Sequence, residues 1–422
     1  MEREQRLAEQ LPPLTPHEAL VESNRCLYCY DAPCTHACPT HIDIPRFIKK
    51  IATGNLKGSG RTILESNLMG ATCARVCPVE ELCEGACVLN AEEKPISIGR
   101  LQRHAMDHIY ASGVEVFQRA ALTGRKVAVI GAGPAGLSCA GELARRGHAV
   151  TVFEKRGWGG GLSTYGIIVL REPIPVALAE VEMIRSLGVT IETGADADPV
   201  ELLHQFDAVF VATGLGKSPQ LGIPGEERVV DGLAFIEQSK TGIQNLHVGR
   251  NVLVIGAGNT AIDCATVAKR CGAERVTMVY RRTESQMSAY RHEYEFIKNE
   301  GVAFEFLAQP VSVTADGLEC ARVALSGTAM ETITGSNFVI PGDQIIKAIG
   351  QEKPRIATAL GLATERGFIR VNARLETSVP RVYAGGDCVR AKGSASTVMA
   401  AQDGKIGAAS IHGLLMNGVK NG

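Results

Sequence analysis

Two glycine-rich turns constrain this chain more than any other feature. They are Gly131-Ala132-Gly133-Pro134-Ala135-Gly136 and Gly256-Ala257-Gly258-Asn259-Thr260-Ala261, 125 residues apart. Each follows an apolar strand run and opens a helix. In the first copy Lys126–Ile130 reads as a strand, Pro134–Arg146 as a helix and Ala149–Glu154 as a second strand. In the second, Asn251–Ile255, Thr260–Arg270 and Arg275–Tyr280 repeat the order. A repeated strand–turn–helix–strand unit builds parallel sheet, because a parallel pair needs a crossover helix. The reading is an α/β protein with two doubly wound, Rossmann-type domains.

The same turns carry chemistry. Glycines let the backbone approach a pyrophosphate, and the helix N-terminus supplies positive potential. Glu154 ends the strand after the first turn, where an acid hydrogen-bonds ribose hydroxyls. The second copy has no acid there; Tyr280-Arg281-Arg282 stands instead. Two guanidinium groups suit a 2′-phosphate, which points to NADP(H), with NAD(H) as the alternative if the arginines are only solvated surface. Val209–Gly214 reads as a strand entering a tight turn at Thr213-Gly214, where the chain passes between cofactor domains. Val382–Asp387 reads as a strand whose terminal Asp387, after Gly386, can bond a flavin's ribityl chain. A long closing helix from Thr397 would aim its N-terminus at the flavin ring and stabilise its reduced anion.

Eight of the 13 cysteines fall between Cys26 and Cys87. The runs are Cys26-x2-Cys29-x4-Cys34-x3-Cys38-Pro39 and Cys73-x3-Cys77-Pro78-x4-Cys83-x3-Cys87. Eight thiolates match two four-iron clusters, and a final cysteine before proline often serves the other cluster. Zinc sites favour paired C-x2-C knuckles, and only one such pair occurs here. Cys139, Cys264, Cys271, Cys320 and Cys388 carry no expected role; Cys264 and Cys271 are too far apart for a C-x-x-C disulfide reductase.

Composition removes other classes. With 44 Lys+Arg against 45 Asp+Glu, the chain has no basic excess for nucleic acid or an anionic membrane. Its apolar runs are shorter than the ~20 residues a spanning helix needs. Its first residues mix both charge signs without a signal core, so a cytoplasmic location is expected. The expected domains are 1–124 (helical, iron–sulfur), 125–245 and 353–422 (two parts of an FAD domain), and 246–352 (the NAD(P)H domain).

These motifs, in this order, resemble the flavin-containing input module shared by the glutamate synthase small subunit and dihydropyrimidine dehydrogenase, across essentially the whole chain. Asp31-Ala32-Pro33-Cys34, Cys38-Pro39-Thr40-His41-Ile42-Asp43-Ile44, the gap between Cys77 and Cys83, and Gly160-Gly161-Leu162-Ser163-Thr164 are more similar to the dehydrogenase branch. The length resembles a separate bacterial subunit lacking the pyrimidine-reducing barrel. One segment departs from the family: Y-G-I-P-x-F-R-L-P reads here Tyr165-Gly166-Ile167-Ile168-Val169-Leu170-Arg171-Glu172-Pro173.

The resemblance implies FAD at the first turn, with Lys155, Gly161, Leu162 and Arg171 among its contacts, and NAD(P)H at the second, with Ala348 and Gly350. It implies one cluster on Cys26, Cys29, Cys34 and Cys87. The other falls to Cys38, Cys77, Cys83 and Gln102, the last from Ile96-Ser97-Ile98-Gly99-Arg100-Leu101-Gln102. Thiolate chemistry alone favours Cys73 over Gln102. The implied activity is an NAD(P)H-oxidising input subunit that feeds an FMN and iron–sulfur partner reducing uracil or thymine, in a heterotetramer. A glutamate synthase small subunit is the alternative, and a docking chain without redox function a third. No side-chain acid or base is expected, since the redox chemistry belongs to the cofactors.

Overall fold

The computed structural model of the chain describes residues 6–91, 94–326, 329–390 and 396–417. It falls into two units. The larger holds Leu11–Thr164, Ile174–Leu215 and the chain from Lys353. The smaller holds Tyr165–Pro173, Gly216–Glu352 and the described residues before Leu11.

The larger unit begins with helices: α1 (Pro16–Asn24), α2 (Ile44–Ala52), α3 (Leu56–Ser66), α4 (Gly70–Val76) and α5 (Ile98–Ser112). Local signals set their ends. Thr15 and Glu18 form a capping box at α1, and Asp43 caps α2 by accepting the Arg46 amide. Ile44, Phe47, Ile48 and Ile51 line the buried stripe of α2 and share a core with Ile63, Leu64, Leu101 and Met106.

The first sheet follows: β1 (Lys126–Ile130), β2 (Ala149–Glu154), β3 (Thr190–Thr193) and β4 (Ala208–Val211). Helices α6 (Pro134–Arg145) and α7 (Ile174–Ser186) lie between its strands in sequence. Its fifth strand, Val382–Ala384, comes far downstream and pairs with β4, so all five run parallel. Alternate residues enter opposite cores: Val127, Val129 and Phe210 on one face, Ala128, Ile130 and Val209 on the other. A sheet buried on both faces is what near-continuous apolar strands require.

The smaller unit repeats the plan with β5 (Val230–Asp231), α8 (Gly232–Thr241), β6 (Asn251–Ile255), α9 (Asn259–Arg270), β7 (Arg275–Tyr280), α10 (Arg291–Asn299) and β8 (Ala303–Phe306). Four more strands form a separate antiparallel sheet that the sequence reading lacks: β9 (Ala308–Val313), β10 (Gly317–Ser326), β11 (Ala329–Thr332) and β12 (Phe338–Pro341). Then β13 (Gln344–Lys347) returns to the parallel sheet, between β5 and β6. The larger unit resumes with β14 (Thr364–Glu365), β15 (Phe368–Ile369), β16 (Val382–Ala384) and α11 (Thr397–Asn417).

The expected boundary at 245/246 moves. Val230 pairs in parallel with Ile346 of β13, and Asp231 caps α8 through the Leu233 and Ala234 amides. Residues 216–245 therefore belong to the second sheet's unit, as does the strap Tyr165–Pro173. The helical region expected to end at 124 shares one unit with the first sheet. Among the described residues no helix is long and apolar enough to cross a membrane.

Candidate functional site

The eight N-terminal cysteines gather into two groups that cut across the two sequence runs. Cys26, Cys29, Cys34 and Cys87 line one cavity, walled by Pro33, Ile44 and Ile98. Burial pushes the Cys34 thiol up to about 11, with Cys26 and Cys87 adding to it. Cys38, Cys73, Cys77 and Cys83 form the second group. A hydrogen bond with Cys73, burial, and the nearby Cys83 and Cys38 all raise the Cys77 thiol. Among the described residues no three such side chains stand at metal-bonding distance. The donor chemistry, sulfur converging on sulfur with little competing nitrogen or oxygen, still fits iron–sulfur clusters.

Gln102 is buried and its Nε2 donates to the Gly70 carbonyl at 2.7 Å, at the start of α4. Cys73 and Cys77 sit later on and just past that same helix. Gln102 is thus tied to the first turn of the helix that carries Cys73, through an atom other than its amide oxygen.

One residue of this region was invisible in the sequence. Glu180, on α7 and 1 % exposed, accepts the amides of Ala71 (2.7 Å) and Thr72 (3.1 Å). It fixes the helix that presents Cys73 and Cys77.

At the first glycine turn, Gly131 adopts φ +103°, and a Cβ there would lie 2.4 Å from the Ala212 carbonyl oxygen. Only glycine fits. Glu154 is buried, and both its oxygens are engaged by backbone: Oε2 by the Ala132 amide and Oε1 by the Arg156 amide, each at 2.9 Å. The acid expected at a ribose thus also braces the turn. Gly160 donates to the Ala132 carbonyl at 2.7 Å, which lays the loop carrying Gly161 and Leu162 along Gly133. Gly133 itself has open space where a Cβ would go, apart from Gly161 at 3.9 Å, so the cradle suits a pyrophosphate. Asp387 is pushed above the usual carboxylate range by burial. Next to it the sequence reading missed Asp403, 1 % exposed, which accepts the Gly386 amide at 2.8 Å and pairs with Arg390. Pro134, Ala135 and Gly136 begin α6, Thr397 begins α11, and Lys155 and Thr213 are exposed beside their strands, with Gly214 at φ +62°.

The second turn repeats the geometry. Gly256 has φ +134°, with the Ala348 carbonyl oxygen 2.3 Å from a would-be Cβ. Asn259 is fixed by accepting the Tyr290 amide at 3.1 Å, Thr260 follows it in α9, and Gly350 is exposed past β13. Arg281 and Arg282 are exposed at the end of β7. Arg171 stands on the strap Tyr165–Pro173. It is in the smaller unit, its guanidinium held by Asp263 (3.5 Å) and Glu293.

Two glycine turns on parallel sheets, one of them in the same unit as two groups of four cysteines, define an NAD(P)H-dependent oxidoreductase that uses FAD and iron–sulfur clusters. The chain belongs to the pyridine nucleotide-disulphide oxidoreductase family, whose model matches residues 125–404. Residues 3–114 match the model "Dihydropyrimidine dehydrogenase domain II, 4Fe-4S cluster". It is 35% identical over 416 residues to the NAD-dependent dihydropyrimidine dehydrogenase subunit PreT of Escherichia coli K12, covering 98% of each chain. It is 32% identical to the glutamate synthase (NADPH) small chain of Halomonas elongata, covering 96% of this chain and 92% of that one. The fold is similar to thioredoxin reductase of Lactococcus lactis, with a TM-score of 0.57, 21% identity, and cover of 69% of this chain and 99% of that one. The cysteines of the smaller unit, Cys264, Cys271 and Cys320, form no C-x-x-C pair in the sequence. Cys264 and Cys271 are both buried, and Cys264 donates to the Gly232 carbonyl.

Proposed function

We propose that this chain is the electron-input subunit of a pyrimidine-reducing enzyme, passing electrons from NAD(P)H to an FMN-containing partner that reduces uracil or thymine. The observation that carries it is the sharing of one unit by the first glycine turn and both four-cysteine groups. When bound, the flavin accepts hydride and releases single electrons, which the clusters relay.

The chain's own residues bind and orient. Gly131, Gly133 and Gly136 admit the flavin pyrophosphate, and Glu154 and Asp387 face its sugar and ribityl hydroxyls. Gly256, Gly258, Asn259 and Thr260 do the same for the nicotinamide nucleotide. Cys26, Cys29, Cys34 and Cys87 hold one 4Fe-4S cluster. Cys38, Cys77 and Cys83 hold the second, with Gln102 as its fourth ligand. The 35% identity to a chain named a dehydrogenase subunit supports a partner subunit.

The test is anaerobic NADH and NADPH oxidation by the complex isolated from its source, triggered by uracil or by glutamine plus 2-oxoglutarate. Uracil-dependent oxidation supports the proposal. Turnover with glutamine plus 2-oxoglutarate but not with uracil would instead make this chain a glutamate synthase small subunit.

A further inference from the structure

Arg171 closes a ring of contacts in the smaller unit. The amides of Ser288 and Ala289 both reach the Ala257 carbonyl at 3.2 Å, and the Tyr290 amide reaches Asn259 Oδ1. Residues 288–290 therefore fold back over the second glycine turn, with Ser288 Oγ 3.3 Å from where a Gly258 Cβ would lie. Helix α10 starts directly after them, and Glu293 in its first turn takes Nη1 of Arg171. Nη2 of the same guanidinium faces Asp263 Oδ2, one helical turn past Asn259 on α9. Each link in the ring leads back to the turn.

The carboxylates of the ring are buried. Asp263 and Glu293 are buried, and Glu172 beside them is fully so. Lys240 of α8 donates to the Glu172 carbonyl at 3.0 Å. Three carboxylates thus sit around two cations. Without Arg171, Glu293 would face Asp263 with the guanidinium that holds both removed, and carboxylates that close repel each other.

We propose that Arg171 is a positioning residue for the nicotinamide nucleotide, tying Glu293 to Asp263 and so fixing residues 288–290 against Gly258. This rests on reading the second turn as the NAD(P)H site. An arginine suits the task because its planar fork spans two carboxylates, which a lysine's single ammonium does not. The strap that carries Arg171 continues directly from the flavin loop at Thr164. The resemblance to flavin contacts and the observed nucleotide-side bracing therefore predict different phenotypes.

The test uses the full flavin-loaded chain. It reads NADH and NADPH dissociation constants, KM and kcat with ferricyanide as acceptor, and flavin content with its visible spectrum. R171M should weaken nucleotide binding about tenfold or more, equal to ~1.4 kcal/mol. Flavin content, spectrum and kcat at saturating nucleotide should hold, and R171K should recover part of the loss. If R171M does not fold, E293Q, which cuts one arm of the ring, should raise KM with kcat retained. Loss or spectral change of flavin at unchanged nucleotide affinity would make Arg171 a flavin residue and overturn the proposal. So would unchanged affinity in every variant. If the unaltered chain binds neither nucleotide, the reading of the second turn falls, and the proposal with it.

Discussion

Glu180 grips Thr72 twice: Oε1 accepts its backbone amide at 3.1 Å and Oε2 its hydroxyl at 2.5 Å. The two residues are 108 apart in sequence, so the contact joins a helix of the flavin segment to the helix bearing Cys73. A carboxylate at a helix N-terminus is favourable, and here it also satisfies buried donors.

Replacing Glu180 by alanine leaves the Ala71 and Thr72 amides and a hydroxyl buried without their acceptor, a cost of about 2–4 kcal/mol. E180A is expected to lower the thermal midpoint of the isolated protein and reduce its iron per chain. E180Q should do so less. Thermal scans with iron and acid-labile sulfide assays check this, and unchanged values for E180A would show that the clamp is dispensable.

The clamp also shows where sequence reading stops. Both strand–turn–helix units were legible because apolar period and turn glycines are local signals. The cysteines, too, announced themselves by spacing. Glu180, Asp403 and the Arg171 ring were not legible, because an acid in a helix reads as solvated until its partner, some 17 to 122 residues away, is placed. The β5 boundary failed for a related reason. A strand of two residues has no periodicity to read. The β9–β12 sheet hid behind an irregularity at Glu319/Cys320 that breaks the alternation of β10.

His148 makes the acid response specific. Fully buried, it meets Thr123 Oγ1 through Nδ1 and His412 of α11 through Nε2, each at 2.8 Å. Burial, then His412 and Arg146, push it down to about 4 from the ordinary 6.5. A depressed folded value means stability is present above about 6.5 and is lost as pH falls toward about 4. At ~1.4 kcal/mol per pH unit the loss is up to about 3 kcal/mol. The thermal midpoint should therefore drop over that window, and H148Q should flatten the drop. An equally steep H148Q profile would place the acid sensitivity elsewhere.

Arg281 and Arg282, exposed at the end of β7, should decide between the two nucleotides. A 2′-phosphate held by a guanidinium gains a charge-assisted bond that the free diol of NADH cannot use. R281A/R282A should raise KM for NADPH by roughly tenfold, ~1.4 kcal/mol, and leave KM for NADH within about twofold. Equal effects on both would mean the arginines act on something common to them. Preference for NADH in the unaltered chain would assign them to the surface.

The eighth cluster ligand can be settled between two neighbours of α4. Cys73 hydrogen-bonds with Cys77, whereas Gln102 uses Nε2 on the Gly70 carbonyl and keeps its amide oxygen for another partner. A thiolate adds negative charge to a cluster and an amide does not, so the two choices differ in reduction potential. If Gln102 is the ligand, Q102L should cost about one cluster's iron or perturb its electron paramagnetic resonance signal. C73S should leave both intact, since serine keeps a small hydrogen-bonding group beside Cys77. Q102C should then restore occupancy and lower the potential, because it supplies the sulfur that Cys73 does not. The reverse pattern, loss with C73S and full occupancy with Q102L, would give the second cluster four cysteines and leave Gln102 as the anchor of α4.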